Sequence, residues 1–180
     1  MTERTTTEDR AVSIAPGAVL VLQFDDAATR VQALQPATSK SDGLLELPIG
    51  AGALAREVLR HAPPVPLEIE HAIEVVEEAV MPAAARLPAQ YRLFSNDPLL
   101  RALAAEAGQL ELRPLGGIDA LTAWLGIEAV EQLFNRLVAR SEGRPESQDG
   151  LAVDGPSAAR LVIVREILHH WGVSGMYVTA

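Results

Sequence analysis

The chain has 180 residues, 48% hydrophobic and 22% charged, with a net charge of −9, a balance that suits one folded domain with a sizeable core. It contains no cysteine, which excludes disulfides, thiolate metal sites and cysteine nucleophiles. Fifteen Lys and Arg against 24 Asp and Glu argue against nucleic-acid binding, which needs clustered cations, and against anionic membrane surfaces.

Residues 1–10 are polar and rich in Thr and Glu. They read as a disordered tail without the apolar stretch of a secretory signal, leaving 11–180 as a single domain. No apolar run approaches the ~18 residues that span a bilayer, so a soluble, cytoplasmic protein is expected. Residues 18–24 form a continuous apolar run rich in Val and Leu, the pattern of a strand covered on both faces. Residues 29–34 alternate apolar and polar, and the short turn at 25–28 makes the two a hairpin. After turn material at 36–43, a third strand is expected over 44–49, closed by Gly50 and Gly52.

Helices dominate the remainder. One is expected over 51–61, stopped by Ala62-Pro63-Pro64-Val65-Pro66. The clearest spans 67–81, with Leu67, Ile69, Ile73, Val76 and Val80 on one broad face and glutamates mostly opposite. A strand is expected at 91–94, and Asp97-Pro98 then reads as an N-cap followed by proline, opening a helix that runs to Gly108. Two more helices are expected, over 128–140 and 157–171, separated by a loop rich in Gly, Pro, Ser and Asp at 142–155. A short strand at 176–179 closes the chain. The order predicts an α/β sandwich whose sheet begins with a three-stranded meander.

Several segments carry a family likeness. Leu47-Pro48-Ile49-Gly50-Ala51-Gly52-Ala53-Leu54 is similar to a Ser-Leu-Pro-hydrophobic-Gly-Ala-x-x-Leu segment, with Glu46 where the Ser usually stands. The proline-interrupted run from Glu57 to Pro64, the helices at 67–80 and 127–140, and the closing stretch at 161–179 follow in matching order. Together they resemble the second domain of the exopolyphosphatase/guanosine pentaphosphate phosphatase (Ppx/GppA) family. That resemblance implies a single actin-like ATPase (ribonuclease H-like) lobe, a mixed sheet flanked by helices.

The departures from the family pattern bear on function. Its first hairpin carries Asp-x-Gly-Gly-Gly-Ser-Thr-Glu, whose glycines let backbone amides approach phosphate. This chain offers Gln23-Phe24-Asp25-Asp26-Ala27-Ala28-Thr29-Arg30 instead, keeping only Thr29 and gaining two carboxylates that would repel phosphate. The family's second phosphate loop, Gly-Gly-Thr, falls on Asn96-Asp97-Pro98, or in a competing placement on Gly116-Gly117-Ile118. The family sets its chemistry in a cleft between two lobes, and this chain is long enough for one.

No catalytic residue and no metal ligand set is expected. His169 and His170, adjacent on a helix, point about 100° apart and suit the negative end of the helix dipole. His71 with Glu74 or Glu78 has helical-neighbour geometry but no third ligand. Glu74, Glu77 and Glu78 read as a solvated helix face. Ser157 reads as a helix cap rather than a nucleophile, and Trp124, Phe134 and Trp171 as anchors on helical faces. The candidate ligand-binding residues are Asp25, Asp26, Thr29, Asn96 and Asp97. The expectation is a catalytically inactive exopolyphosphatase relative acting as a binding or regulatory module, as a homodimer or with a complementary phosphatase-like lobe. The alternative is one lobe of a split Mg²⁺-dependent polyphosphate or pppGpp phosphohydrolase, with Asp25, Asp26 and Thr29 holding a metal–phosphate unit.

Overall fold

Alternation along the first strands decides which face of the sheet is covered. The computed structural model describes residues 17–34, 41–109, 113–115 and 118–179; the tail expected at 1–10, most of the turn at 36–43, and Gly116 with Gly117 lie outside them. In β1 (Ala18–Phe24), Leu20 and Leu22 are fully buried, as are Thr29 and Val31 of β2 (Thr29–Leu34). β3 (Ser41–Leu47) completes the meander, its Leu45 and Leu47 buried. β1 pairs antiparallel with β2, and β2 with β3.

β4 (Tyr91–Ser95) lies parallel to β1 and β7 (Gly175–Thr179) parallel to β4. Two strands absent from the sequence reading, β5 (Arg113–Leu115) and β6 (Ile118–Gly126), extend the sheet antiparallel beyond β7. The order is β3-β2-β1-β4-β7-β6-β5. Trp124 therefore stands on a strand and not on a helical face. It meets Tyr177 edge-on, and Tyr177 stacks on Phe94, each pair with ring centroids 4.9 Å apart.

The helices are α1 (Ala51–Glu57), α2 (Pro66–Val80), α3 (Pro98–Glu106), α4 (Ile127–Ser141) and α5 (Gly155–His170). α1 ends sooner than expected, with Val58 as its C-cap. α2 starts on Pro66 at its first turn, and Glu68 turns back to accept the Val65 N–H at 3.2 Å. α3 has the anticipated Asp97 cap and ends near Gly108, which takes φ +69°, a conformation open to glycine at no steric cost.

α5 is apolar all round, with Leu161, Val162, Ile163, Val164, Ile167 and Leu168 each at most 2% exposed. Such a helix must be enclosed, and α1, α2, α3 and α4 all pack against it. Its cap is Asp154, which accepts the Ser157 N–H at 3.0 Å; the Ser157 hydroxyl donates back to the same carboxylate at 2.9 Å. The expected Ser157 cap is thus displaced by three residues. Among the described residues no helix is long and apolar enough to cross a membrane.

The loop before α5 is tied down by charge. The Asp149 carboxylate, 3% exposed, accepts from Arg136 of α4 at 2.6 Å, while buried Arg140 donates to the Asp149 carbonyl at 2.9 Å. The Arg136 hydrogen bond holds the Asp149 carboxyl below its ordinary value. A depressed folded-state pKa gives stability that is present above the unfolded value of about 3.9 and lost as pH falls through the lower folded value. Asp149→Asn should cost about 1.5–3 kcal/mol at neutral pH, and urea unfolding at a series of pH values should show that gap closing below about pH 4. Ile163→Ala should cost about 2–5 kcal/mol by opening a cavity, read from the same unfolding curves.

Candidate functional site

The β1–β2 tip, the start of α1 and the start of α5 border one open cleft of about 540 Å³. The tip is closed by the Asp25 N–H donating to the Ala28 carbonyl at 2.9 Å. From there it leans onto α1, where the Ala53 N–H donates to the Asp26 carbonyl at 2.7 Å. Glycine makes this approach possible. A Cβ on Gly50 would fall inside the Asp26 and Ala27 backbone, and one on Gly52 would overlap the Asp26 carboxylate.

Each expected ligand-binding residue has a definite place. Asp26 and Asp25 do border the cleft, but neither carboxylate is free. Arg56 grips Asp26 in a fork, Nη1 to Oδ1 at 2.5 Å and Nη2 to Oδ2 at 2.8 Å, a bidentate geometry that suits arginine. That hydrogen bond holds the Asp26 carboxyl below the usual carboxylate range and raises the Arg56 guanidinium in turn. Asp25 pairs with Arg30, whose Nε also donates to Glu46 at 3.0 Å. The unopposed negative charge expected at the tip is therefore offset by arginines.

Thr29 does not face the cleft. Its side chain is fully buried and its hydroxyl donates to the Ile49 carbonyl at 2.7 Å, so the one residue shared with the family loop holds β2 to the start of α1. Asn96 is exposed, in the turn after β4. Asp97 is committed twice: it accepts the Leu99 and Leu100 N–H groups at 2.8 and 3.1 Å, and Arg160 Nε at 2.8 Å. Of the two placements for a second phosphate loop, only Asn96-Asp97-Pro98 lies wholly within the described residues, and it is a helix cap there.

Three cleft arginines went unnoticed in the sequence: Arg56, Arg60 and Arg160. Arg160 also places its guanidinium 6.0 Å from the Phe24 ring centroid. Arg60 has no carboxylate partner among the described residues. Beside it, His61 pairs with Glu68 at 2.7 Å.

The helix starts at the site are partly satisfied. A helix N-terminus holds an anion through free N–H groups. At α1 the Ala53 N–H serves Asp26, at α3 the Leu99 and Leu100 N–H groups serve Asp97, and at α5 the Ser157 N–H serves Asp154. Proline in the first turn of α3 and of α5 removes a further donor from each.

Gly50→Ala should lift the tip from α1 and lower the unfolding free energy, read from urea curves, by more than about 1 kcal/mol for the lost contacts. Gly150→Ala, where nothing lies within 4 Å of a new Cβ, should stay within about 0.5 kcal/mol of the parent.

No protein-family profile matches the chain, and no curated protein matches it in sequence. Solved structures do match in fold. The Aquifex aeolicus Ppx/GppA phosphatase, in its type II variant, superposes with a TM-score of 0.66 at 15% identity, over 91% of this chain and 53% of that one. An exopolyphosphatase from Cytophaga hutchinsonii gives 0.64 at 15% identity, over 94% and 55%. An exopolyphosphatase-like protein gives 0.56 at 17% identity, over 98% and 58%. The chain spans about half the length of these proteins. Its fold is that of about half of a Ppx/GppA phosphatase chain, with the order β3-β2-β1-β4-β7 at the centre of the sheet.

Proposed function

We propose that this chain is an exopolyphosphatase-related lobe that works by binding and does not hydrolyse phosphoanhydrides by itself. The observation that supports this reading is that Asp26, Asp97 and Asp154 occupy amides at the three helix starts. Phosphoryl transfer depends on donors preorganised for the phosphate oxygens. At those amides an incoming anion would have to displace an internal acceptor before it gained a hydrogen bond, so the exchange returns little.

The partner in this reading is a second copy of the chain or a complementary phosphatase-like lobe. This chain matches about half of each phosphatase's length, and a cleft open on one side offers a surface for another lobe.

One observation favours the rival, a split Mg²⁺-dependent phosphohydrolase. Arg56, Arg60 and Arg160 all border the cleft, and guanidinium groups bind phosphate well. The two readings differ in a direct assay. Purified protein with Mg²⁺ and polyphosphate or pppGpp should release no phosphate above the buffer blank, and calorimetry with the same mixture should show no heat of binding. Turnover by the chain alone at the ~1 s⁻¹ or more of an ordinary enzyme would overturn the proposal, and turnover that arises only when a co-purifying lobe is added would decide for the split phosphohydrolase.

A further inference from the structure

The C-terminal end of α5 gathers a second group of side chains that the cleft does not use. Glu166 and His170 stand one turn apart on α5, and Glu77 meets them from α2. His170 Nε2 lies 3.2 Å from Glu77 Oε1 and 3.4 Å from Glu166 Oε2. All the donor atoms fall within 4.8 Å of one another. The solvated face expected on α2 therefore divides: Glu74 and Glu78 are exposed, whereas Glu77 is half-buried against α5.

We propose that Glu77, Glu166 and His170 form a site for one divalent transition-metal ion of the Zn²⁺ type, which clamps α2 to the end of α5. The spacing supports it: two ligand atoms ~2.05 Å from an ion at a tetrahedral angle stand about 3.3 Å apart. The donor set of one imidazole and two carboxylates suits such an ion and leaves a fourth position for water.

The surroundings hold the donors in place. Glu166 is only 2% exposed, and its other oxygen, Oε1, accepts from Arg165 Nη1 at 2.5 Å, leaving Oε2 directed at His170. Arg165 is itself fixed, donating to Glu131 at 2.8 Å and lying 4.3 Å from the Phe134 ring centroid. Such outer contacts orient metal ligands. Glu77 and His170 are partly exposed, which gives an ion a way in.

The charge balance points the same way. Glu131 and Glu166 pair with Arg165 here and Glu77 stands against His170, three carboxylates to one guanidinium. A divalent cation offsets that surplus. His169 is not part of the site, since its ring goes to Glu131 at 2.6 Å.

Calorimetric titration of the full chain with Zn²⁺ should give one ion per chain, and the same metal should raise the thermal unfolding midpoint. His170→Gln and Glu77→Gln, both at partly exposed positions, should each weaken binding by about tenfold or more, while His169→Gln should change it by less than about twofold. Circular dichroism checks that each variant is folded; should His170→Gln misfold, Glu77→Gln decides. Absence of both heat and a midpoint shift at millimolar Zn²⁺ would mean that the three side chains only pair with one another, and the site would be rejected. Binding that persists undiminished in a folded Glu77→Gln or His170→Gln protein rejects it equally. Neither result bears on hydrolysis in the cleft, which borders the other end of α5.

Discussion

The hydrogen bond from the Ala53 N–H to the Asp26 carbonyl sets the geometry of the whole cleft edge. Its energy is ordinary, about 1 kcal/mol, but it can form only where two glycines leave room. Once formed, it carries the Asp26 carboxylate to Arg56 and leaves Thr29 against the Ile49 carbonyl. The hairpin tip thereby covers the start of α1 with protein atoms. The same approach that would let a backbone loop cradle phosphate is used here to dock the loop onto its neighbouring helix.

Much of the fold is legible in the chain because local patterns agree with it. The apolar run of β1, the alternation of β2, the buried Ile69, Val76 and Val80 of α2 and the Asp97-Pro98 start of α3 all appear where periodicity and capping place them, whereas Leu67, expected on the same face of α2, is 73% exposed. β6 does not, for a physical reason. Ala120-Leu121-Thr122-Ala123-Trp124-Leu125 is built largely of good helix formers, and pairing with β7, from Thr122 with Thr179 to Gly126 with Gly175, and with β5 on the other side makes it a strand. Local preference yields there to tertiary contact. At the start of α5, Asp154 and Ser157 are both competent caps, and the chain uses the earlier one.

The site was less legible, because its charges act in pairs that sequence spacing hides. Asp25 with Arg30 spans a short hairpin and could be read as a pair. Asp26 with Arg56 is 30 residues apart, and Asp97 with Arg160 is 63. Counting carboxylates at the tip gave repulsion of phosphate; the folded chain supplies a guanidinium to each of them. Glu77 likewise read as one more solvated glutamate until α2 was packed against α5.

α5 joins these two regions. Its first turns carry Pro156 and Arg160 to the cleft, and its last carry Glu166 and His170, on average about 15 Å away at the rise of an α-helix. Because it is enclosed on every side, it cannot shift without disturbing the four helices packed on it. The arginine pairs at the cleft are exposed and add little rigidity, so the placement of Arg160 depends on α5 and on Asp97 at its buried edge. At the cleft the Asp154 carboxylate and Pro156 take two of the donors that the first turn of α5 would otherwise offer an anion, so what this rigid helix presents there is chiefly the guanidinium of Arg160.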